Sequence, residues 1–383
     1  MNLITNIESD NKLKGKKELI FLFIVFSPLL GFSAYWYILF FMYSVYSLIR
    51  YKTKISVWGI CFSFIYITFL FIKFEHFSSF SIWFGTIKFY MGWAIITLFL
   101  YVTRLSVNIN KLIILLSCEI ILEFILINTI IPTSILPNYP KLDYTIMTGA
   151  FVRVYSIGCN ATITATILVI LLAYRESIRK RDTNYFCNNY DRIITFLSLV
   201  AIILLGSATG FVLYLLYLSF KLNLLKIKYI FFFCIFIYGI VLGLKHFHFS
   251  EDSIFQRLSF EYFQFILEFK EWQLTEFIYK YNVVNKLLGS DLKYEENPII
   301  WGDIALLEYY VSLGICGLLL FLLYVFRFIN KYNFFPILIG VIGAIHYGGI
   351  FSFSGQFVFA YSLLLNKHSI GYYGYNKNLE KSL

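Results

Sequence analysis

Charge is what this sequence has least of. Only 14% of its residues are Asp, Glu, Lys or Arg, against 59% hydrophobic ones. That balance excludes an ordinary soluble globular domain. The six cysteines include no C-x-x-C pair, and most lie inside apolar runs. Neither a zinc site nor a disulfide framework fits that pattern. There is no H-E-x-x-H, no Walker loop, no G-x-S-x-G and no Rossmann fingerprint. Nothing therefore points to a metal, a nucleotide or an acyl-enzyme. No small-residue cleavage site follows the basic residues 12–17, so the first apolar run reads as a retained span, not a signal peptide. No internal repeat is visible.

What the chain does have is apolar blocks. A bilayer span needs roughly 20 apolar residues, and the chain offers about ten or more such blocks. The net charge of +10 then reads as topology, because Lys and Arg mark cytoplasmic loops, and not as affinity for nucleic acid. The expectation is an all-α polytopic membrane protein, a single integral membrane domain over residues 1–383. Spans are expected near 55–73, 82–102, 112–131, 157–174, 229–244, 304–326, 334–350 and 356–366. Basic clusters flank 18–49 and 193–220, so each is read as a short hairpin, broken at Pro28 and Gly31 and at residues 206–210. A single tilted span is the alternative for 18–49. The sum is about 12 transmembrane helices with both termini cytoplasmic.

Two periplasmic loops of size follow from this topology, 132–156 and 245–303. The second holds ten acidic and six basic residues, a charge of −4, so the rest of the chain carries +14. Within it, Phe255, Leu258, Tyr262, Ile266, Phe269, Trp272, Phe277 and Tyr281 recur at helical spacing. That is an amphipathic helix too charged to span, which lies on the membrane surface or caps the bundle.

Of nine arginines, Arg153 and Arg257 are the two expected outside, one in each loop. A guanidinium fork suits phosphate, so two of them there point to an anion site. The plainer reading is ordinary ion pairing, as between Arg257 and Glu261 on one helix. Asp303 stands where the large loop meets a span, placed either as a general base or as an N-cap. Glu308 follows it, near the same surface. Glu119 and Glu123 lie one helical turn apart within a span, and Lys88 within another is placed to form a structural pair with one of them, with a proton path as the alternative. His346 sits late in a span near the outside, where a lone His is either packed or part of a site.

Several stretches together resemble the bacterial O-antigen polymerases of the Wzy type and, more distantly, the O-antigen ligases. They are Phe151-Val152-Arg153-Val154-Tyr155-Ser156, Gly206-Ser207-Ala208-Thr209-Gly210-Phe211, and residues 253–272 with Arg257. Further along come Leu288-Gly289-Ser290, then Gly302-Asp303, Ser312-Leu313-Gly314-Ile315-Cys316-Gly317, and His346-Tyr347 to Gly355. The resemblance covers order and spacing from about 150 to 366. It implies a glycosyltransferase of the bacterial inner membrane, acting on undecaprenyl-diphosphate-linked oligosaccharide without metal, nucleotide or other cofactor. It implies a chain-length regulator and a flippase as partners, besides membrane lipid. Arg153 and Arg257 would hold the diphosphate, Asp303 would be the base, and Glu308 and His346 would line the substrate site. The ligases typically carry a His eleven residues before the Gly that matches Gly314; here Asp303 stands there. That departure favours the polymerase over the ligase. A transporter of lipid-linked oligosaccharide is the rival from another class.

Overall fold

The computed structural model describes residues 15–51, 80–139, 147–148, 150–181, 188–223, 283–289 and 305–364. It also describes 259–261, 264–265, 267–269, 271–272 and 275. Among the described residues the regular structure is helical apart from a two-stranded ladder in which Met147 pairs with Val152 and Thr148 with Phe151. In chain order the helices are α1 (15–26), α2 (Ser33–Tyr51), α3 (Phe80–Thr103), α4 (Ile109–Thr129), α5 (Ala161–Arg181) and α6 (Asn188–Leu204). Then come α7 (Ala208–Lys221), α8 (Val283–Leu288), α9 (Ala305–Phe328), α10 (Phe334–Gly343) and α11 (Phe353–Leu363). The strands are β1 (Met147–Thr148) and β2 (Phe151–Val152). Ile109–Thr129, Ala161–Arg181 and Tyr309–Phe328 are long and apolar enough to cross a membrane; shorter apolar helices include Lys88–Thr103, Ala208–Lys221 and Phe334–Gly343. This is the make-up of a membrane protein.

Both expected reversals are present. A 3-10 turn, Ser27–Leu30, ends at Gly31 with φ 75°. Beyond it Trp36 comes back to donate its Nε1–H to Ser27 Oγ (2.9 Å) and to meet Phe23 edge-on. In a continuous helix, residues 23 and 36 would stand about 20 Å apart. The second reversal joins α6 to α7. Lys221 at its end pairs with Asp191 at its start (2.8 Å).

The helix ends collect at two poles. At one, Arg175 bonds Asp191 (2.6 Å) and Asn110 (2.6 Å), Arg179 pairs with Glu176 (2.6 Å), and Lys111 approaches Glu18 (3.9 Å). The Tyr332 ring lies within cation–π reach of both Arg181 and Lys331. The basic clusters of separate segments thus converge, as the hairpin reading requires. One expectation changes here. Arg175 and Arg179–Arg181 do not follow the span expected at 157–174; they are its last turns, and Arg175 and Glu176 are fully buried. Ion pairing lets the helix run on through its own charges.

The other pole carries the connecting loops, and α5 runs from it through the centre. Its neighbours are α4, α7, α10 and α11. Small residues make this crowding feasible, as they do between membrane helices generally. A Cβ on Gly210 of α7 would stand 2.4 Å from the Ala165 Cβ, and one on Gly343 would stand 2.5 Å from Thr166 Cγ2. The expected span 334–350 is accordingly cut short at Gly343, where the chain turns across Thr166 and re-enters as α11.

The expected span 304–326 is also interrupted. Gly314 in α9 has φ 66° and ψ −173°, which no helix accommodates. A Cβ there would meet the Leu287 carbonyl oxygen at 2.3 Å, and one on Gly289 (φ 85°) would meet the Ser312 carbonyl oxygen at 2.1 Å. Two glycines far apart in sequence therefore let α8 press its end into the break in α9. Described residues between 260 and 275 are helical, and Phe265, Phe269 and Trp272 form a ring-to-ring row with Phe265 and Trp272 exposed. This agrees with the expected helix; of the expected apolar face only Phe269 and Trp272 are among the described residues. The spans expected at 55–73 and 229–244 lie outside the described residues.

Two outcomes follow. Gly210→Ala lowers the thermal midpoint of the purified protein by overpacking, about 1–3 kcal/mol, and Ala165→Gly in the same chain recovers it. The second concerns Asp191. Burial pushes its carboxyl up, but the hydrogen bonds from Lys221 and Arg175 outweigh this and hold it below the usual carboxylate range. Stability from this group is therefore full above about pH 4 and lost as pH falls further. Acid unfolding followed by circular dichroism shows the loss, and Asp191→Asn removes that acid dependence while lowering stability at neutral pH.

Candidate functional site

Three helices that start at the loop pole have a polar cap written next to them. The Asn160 side-chain Oδ1 accepts from Thr162 N (2.8 Å) ahead of α5. Ser207 Oγ accepts from Gly210 N (3.1 Å) ahead of α7, and Ser352 Oγ from Gly355 N (3.2 Å) ahead of α11. These caps satisfy donors that a helix start leaves open.

The segment that precedes α5 is irregular backbone buried inside the bundle, so its polar groups need partners from protein. Asn128 on α4 supplies one pair, donating to the Val152 carbonyl (3.1 Å) and accepting from Val152 N (2.8 Å). Glu123, nearer the middle of α4, supplies another. Its Oε1 accepts from Tyr139 OH (2.6 Å) and from the Ser156 amide (3.1 Å). Glu119 accepts from the Ser156 hydroxyl. Thr164 donates to the Tyr155 carbonyl (2.6 Å), and the Tyr139 and Tyr155 rings stack at 4.9 Å. Ser156 and Cys159 sit at φ 46° and 53°, a left-handed backbone that costs roughly 1–2 kcal/mol per residue and is held by these bonds. Burial, and after it the Glu123 carboxylate, pushes the Tyr139 phenol well above its ordinary range. It stays a neutral donor.

This overturns one expectation. Glu119 and Glu123 do not rely on Lys88; their described partners are neutral donors from the loop and each other. The Lys88 carbonyl instead accepts from Gln356 Nε2 (2.9 Å), whose Oε1 accepts from Tyr37 OH (2.7 Å). Gln356 ties α2, α3 and α11 together, a role sequence reasoning missed. Its signal was there to find: an uncharged but strongly polar amide inside an apolar run needs a partner.

Arg153 follows directly from the clamped Val152. It is 4% exposed, and its Nε–H points to the Leu205 carbonyl (3.4 Å) at the turn between α6 and α7. Two residues on, Ser207 donates to Thr162 Oγ1 (2.9 Å). The guanidinium thus stands beside the place where the N-termini of α5 and α7 meet. Each such end carries about half a positive charge, and the hydroxyls of Ser207 and Thr162 add polar groups there. An arrangement of this kind favours an anion. Neither Ser207 nor Thr162 was singled out by sequence as a site residue.

His346 lies in the turn between α10 and α11, half-buried, with its ring 4.7 Å from that of Tyr347. That turn is fastened to the start of α9 by Leu306 N to the Ala344 carbonyl (3.2 Å), and to α5 through Thr166. The structure therefore brings Arg153, the His346 turn and the first turn of α9 to one end of α5, on the successive turns marked by Thr162 and Thr166. Glu308 belongs to that first turn of α9; its side chain, like the whole of Arg257 and Asp303, lies outside the described residues. Among the described residues no group of three or more His, Cys, Asp or Glu side chains gathers in a metal-binding arrangement.

Tyr139→Phe keeps the stacked ring but removes the hydroxyl between Glu123 and the loop. The expected cost is about 1–3 kcal/mol, the desolvation of a buried acceptor left short of a donor. The thermal midpoint in detergent measures it.

Compared with known protein families, curated proteins and solved structures, the chain matches none.

Proposed function

We propose that this chain is a twelve-span polymerase of the bacterial inner membrane that joins polyprenyl-diphosphate-linked oligosaccharide units into O-antigen polysaccharide on the periplasmic face. The observation that carries the reading is Arg153, a buried guanidinium beside two helix N-termini. A diphosphate leaving group gathers charge on several oxygens as its bond to the sugar breaks. Donors and dipoles fixed beforehand stabilise that charge without reorganising at the moment of reaction.

In this scheme an acceptor hydroxyl attacks the anomeric carbon of the donor sugar. The new glycosidic C–O bond forms as the bond from that carbon to the diphosphate breaks. Polyprenyl diphosphate departs, held by Arg153 and by Arg257 from the large loop, and the hydroxyl proton passes to Asp303. Glu308 and His346 line the acceptor side. The basic pole faces the cytoplasm with both termini, and the loop pole faces the periplasm. A ligase that hands the glycan to a lipid core uses a similar donor. One observation favours a different class: the break in α9 at Gly314 is the kind of discontinuous helix that transporters use.

Deleting the gene in its host and displaying the surface polysaccharide on a gel separates these. A single repeat unit on lipid core is the expected result. Bare core with long chains on the carrier lipid means a ligase, repeat units held at the cytoplasmic face mean a flippase, and an unchanged ladder overturns the whole reading. In the complemented strain, Arg153→Ala and Arg257→Ala each abolish long chains while the protein remains in the membrane.

A further inference from the structure

A single oxygen atom gathers four donors of the loop that carries Arg153. Glu123 Oε1 receives Tyr139 OH at 2.6 Å, Ser156 N at 3.1 Å, Asn138 Nδ2 at 3.3 Å and Tyr155 N at 3.4 Å. These donors come from both ends of the 132–156 loop, which the carboxylate draws to one point. A charged carboxylate oxygen suits such crowding. An amide oxygen in its place would carry no charge and hold these donors more weakly. Glu119 accepts the Ser156 hydroxyl and bonds the Glu123 carboxyl, but holds no loop amide.

The same contacts bracket Arg153. On its N-terminal side Val152 is held at both backbone groups by Asn128. On its C-terminal side Tyr155 and Ser156 hang from Glu123. At Arg153 itself, the carbonyl lies 3.1 Å from Tyr139 OH, whose one proton goes to the shorter contact with Glu123. The backbone on both sides of Arg153 is therefore held, by Asn128 before it and by Glu123 after it.

We propose that Glu123 is the positioning residue for Arg153, fixing the loop so that the guanidinium already stands at the α5–α7 junction before an anion arrives. Arrangement in advance of binding is what makes a fixed charge effective on a leaving group. Glu123 touches no reacting atom and acts through Arg153. The role in group transfer rests on the polymerase reading; the fixing of the loop does not.

The test uses the full chain in membranes, with Cys159 as the single cysteine and a nitroxide attached to it. Cys159 is exposed and follows the 3-10 turn Ser156–Gly158. Electron paramagnetic resonance then reports loop motion. Glu123→Gln is expected to give a mobile spectrum and Glu119→Gln to keep the parent one. In a polymerisation assay with lipid-linked repeat units, Glu123→Gln raises the donor KM about tenfold, the worth of one charge-assisted hydrogen bond. The double variant with Arg153→Lys is no worse than Arg153→Lys alone, because both changes remove one interaction.

An unchanged spectrum for Glu123→Gln overturns the proposal. So do losses that simply add in the double variant, since Glu123 would then act apart from Arg153. If Glu123→Gln fails to reach the membrane, Tyr139→Phe cuts the same link and answers by the same two measurements. Should Arg153→Lys and Arg153→Ala leave polymerisation intact, the polymerase reading falls, while the spectrum still decides whether Glu123 fixes the loop.

Discussion

Everything near the site depends on how closely other elements approach α5. A helix with neighbours on all sides has room for them only if side chains are small where backbones meet. Ala165 against Gly210 and Thr166 against Gly343 are those places. They set the depth of the α6–α7 turn and of the α10–α11 turn, and so decide what stands beside Arg153. Without a hydrophobic drive between helices in lipid, close packing of this kind carries association. Larger residues at these points would move the loop pole apart before they disturbed any charged group.

The second constraint is that irregular backbone inside an apolar bundle must find its hydrogen bonds in protein. The segment before α5 does so through Asn128, Glu119, Glu123 and Thr164. Carboxylates at such depth are costly, and are retained where many donors converge on them. The two poles divide the electrostatics accordingly. At the basic pole, charge is matched by charge: Asp191 sits between Arg175 and Lys221. At the loop pole, among the described residues, Glu119 and Glu123 are matched by neutral donors and by each other, and the Arg153 guanidinium stands beside two helix N-termini. The break at Gly314 belongs to the same logic, since backbone freed from a helix is tolerated where another backbone, here Leu287 to Gly289, lies against it.

A good part of this was legible in the sequence, and for local reasons. Apolar runs of spanning length force helix, because backbone in lipid must bond within its own segment. Pro28 with Gly31, and Gly206 to Gly210, marked reversals because turn chemistry is a matter of a few residues. Basic clusters marked one pole, and Arg153 stood out by its distance from them. Three matters were decided by tertiary structure alone. Ser156 reaches Glu123 across 33 residues, Ser207 reaches Thr162 across 45, and Gly289 meets Gly314 through backbone contact. The cost of a charge inside a span suggested Lys88 for the glutamates, but the partner of a buried polar group is chosen by what packing brings within about 3 Å of it. That choice is made between segments, where no periodicity in the chain records it.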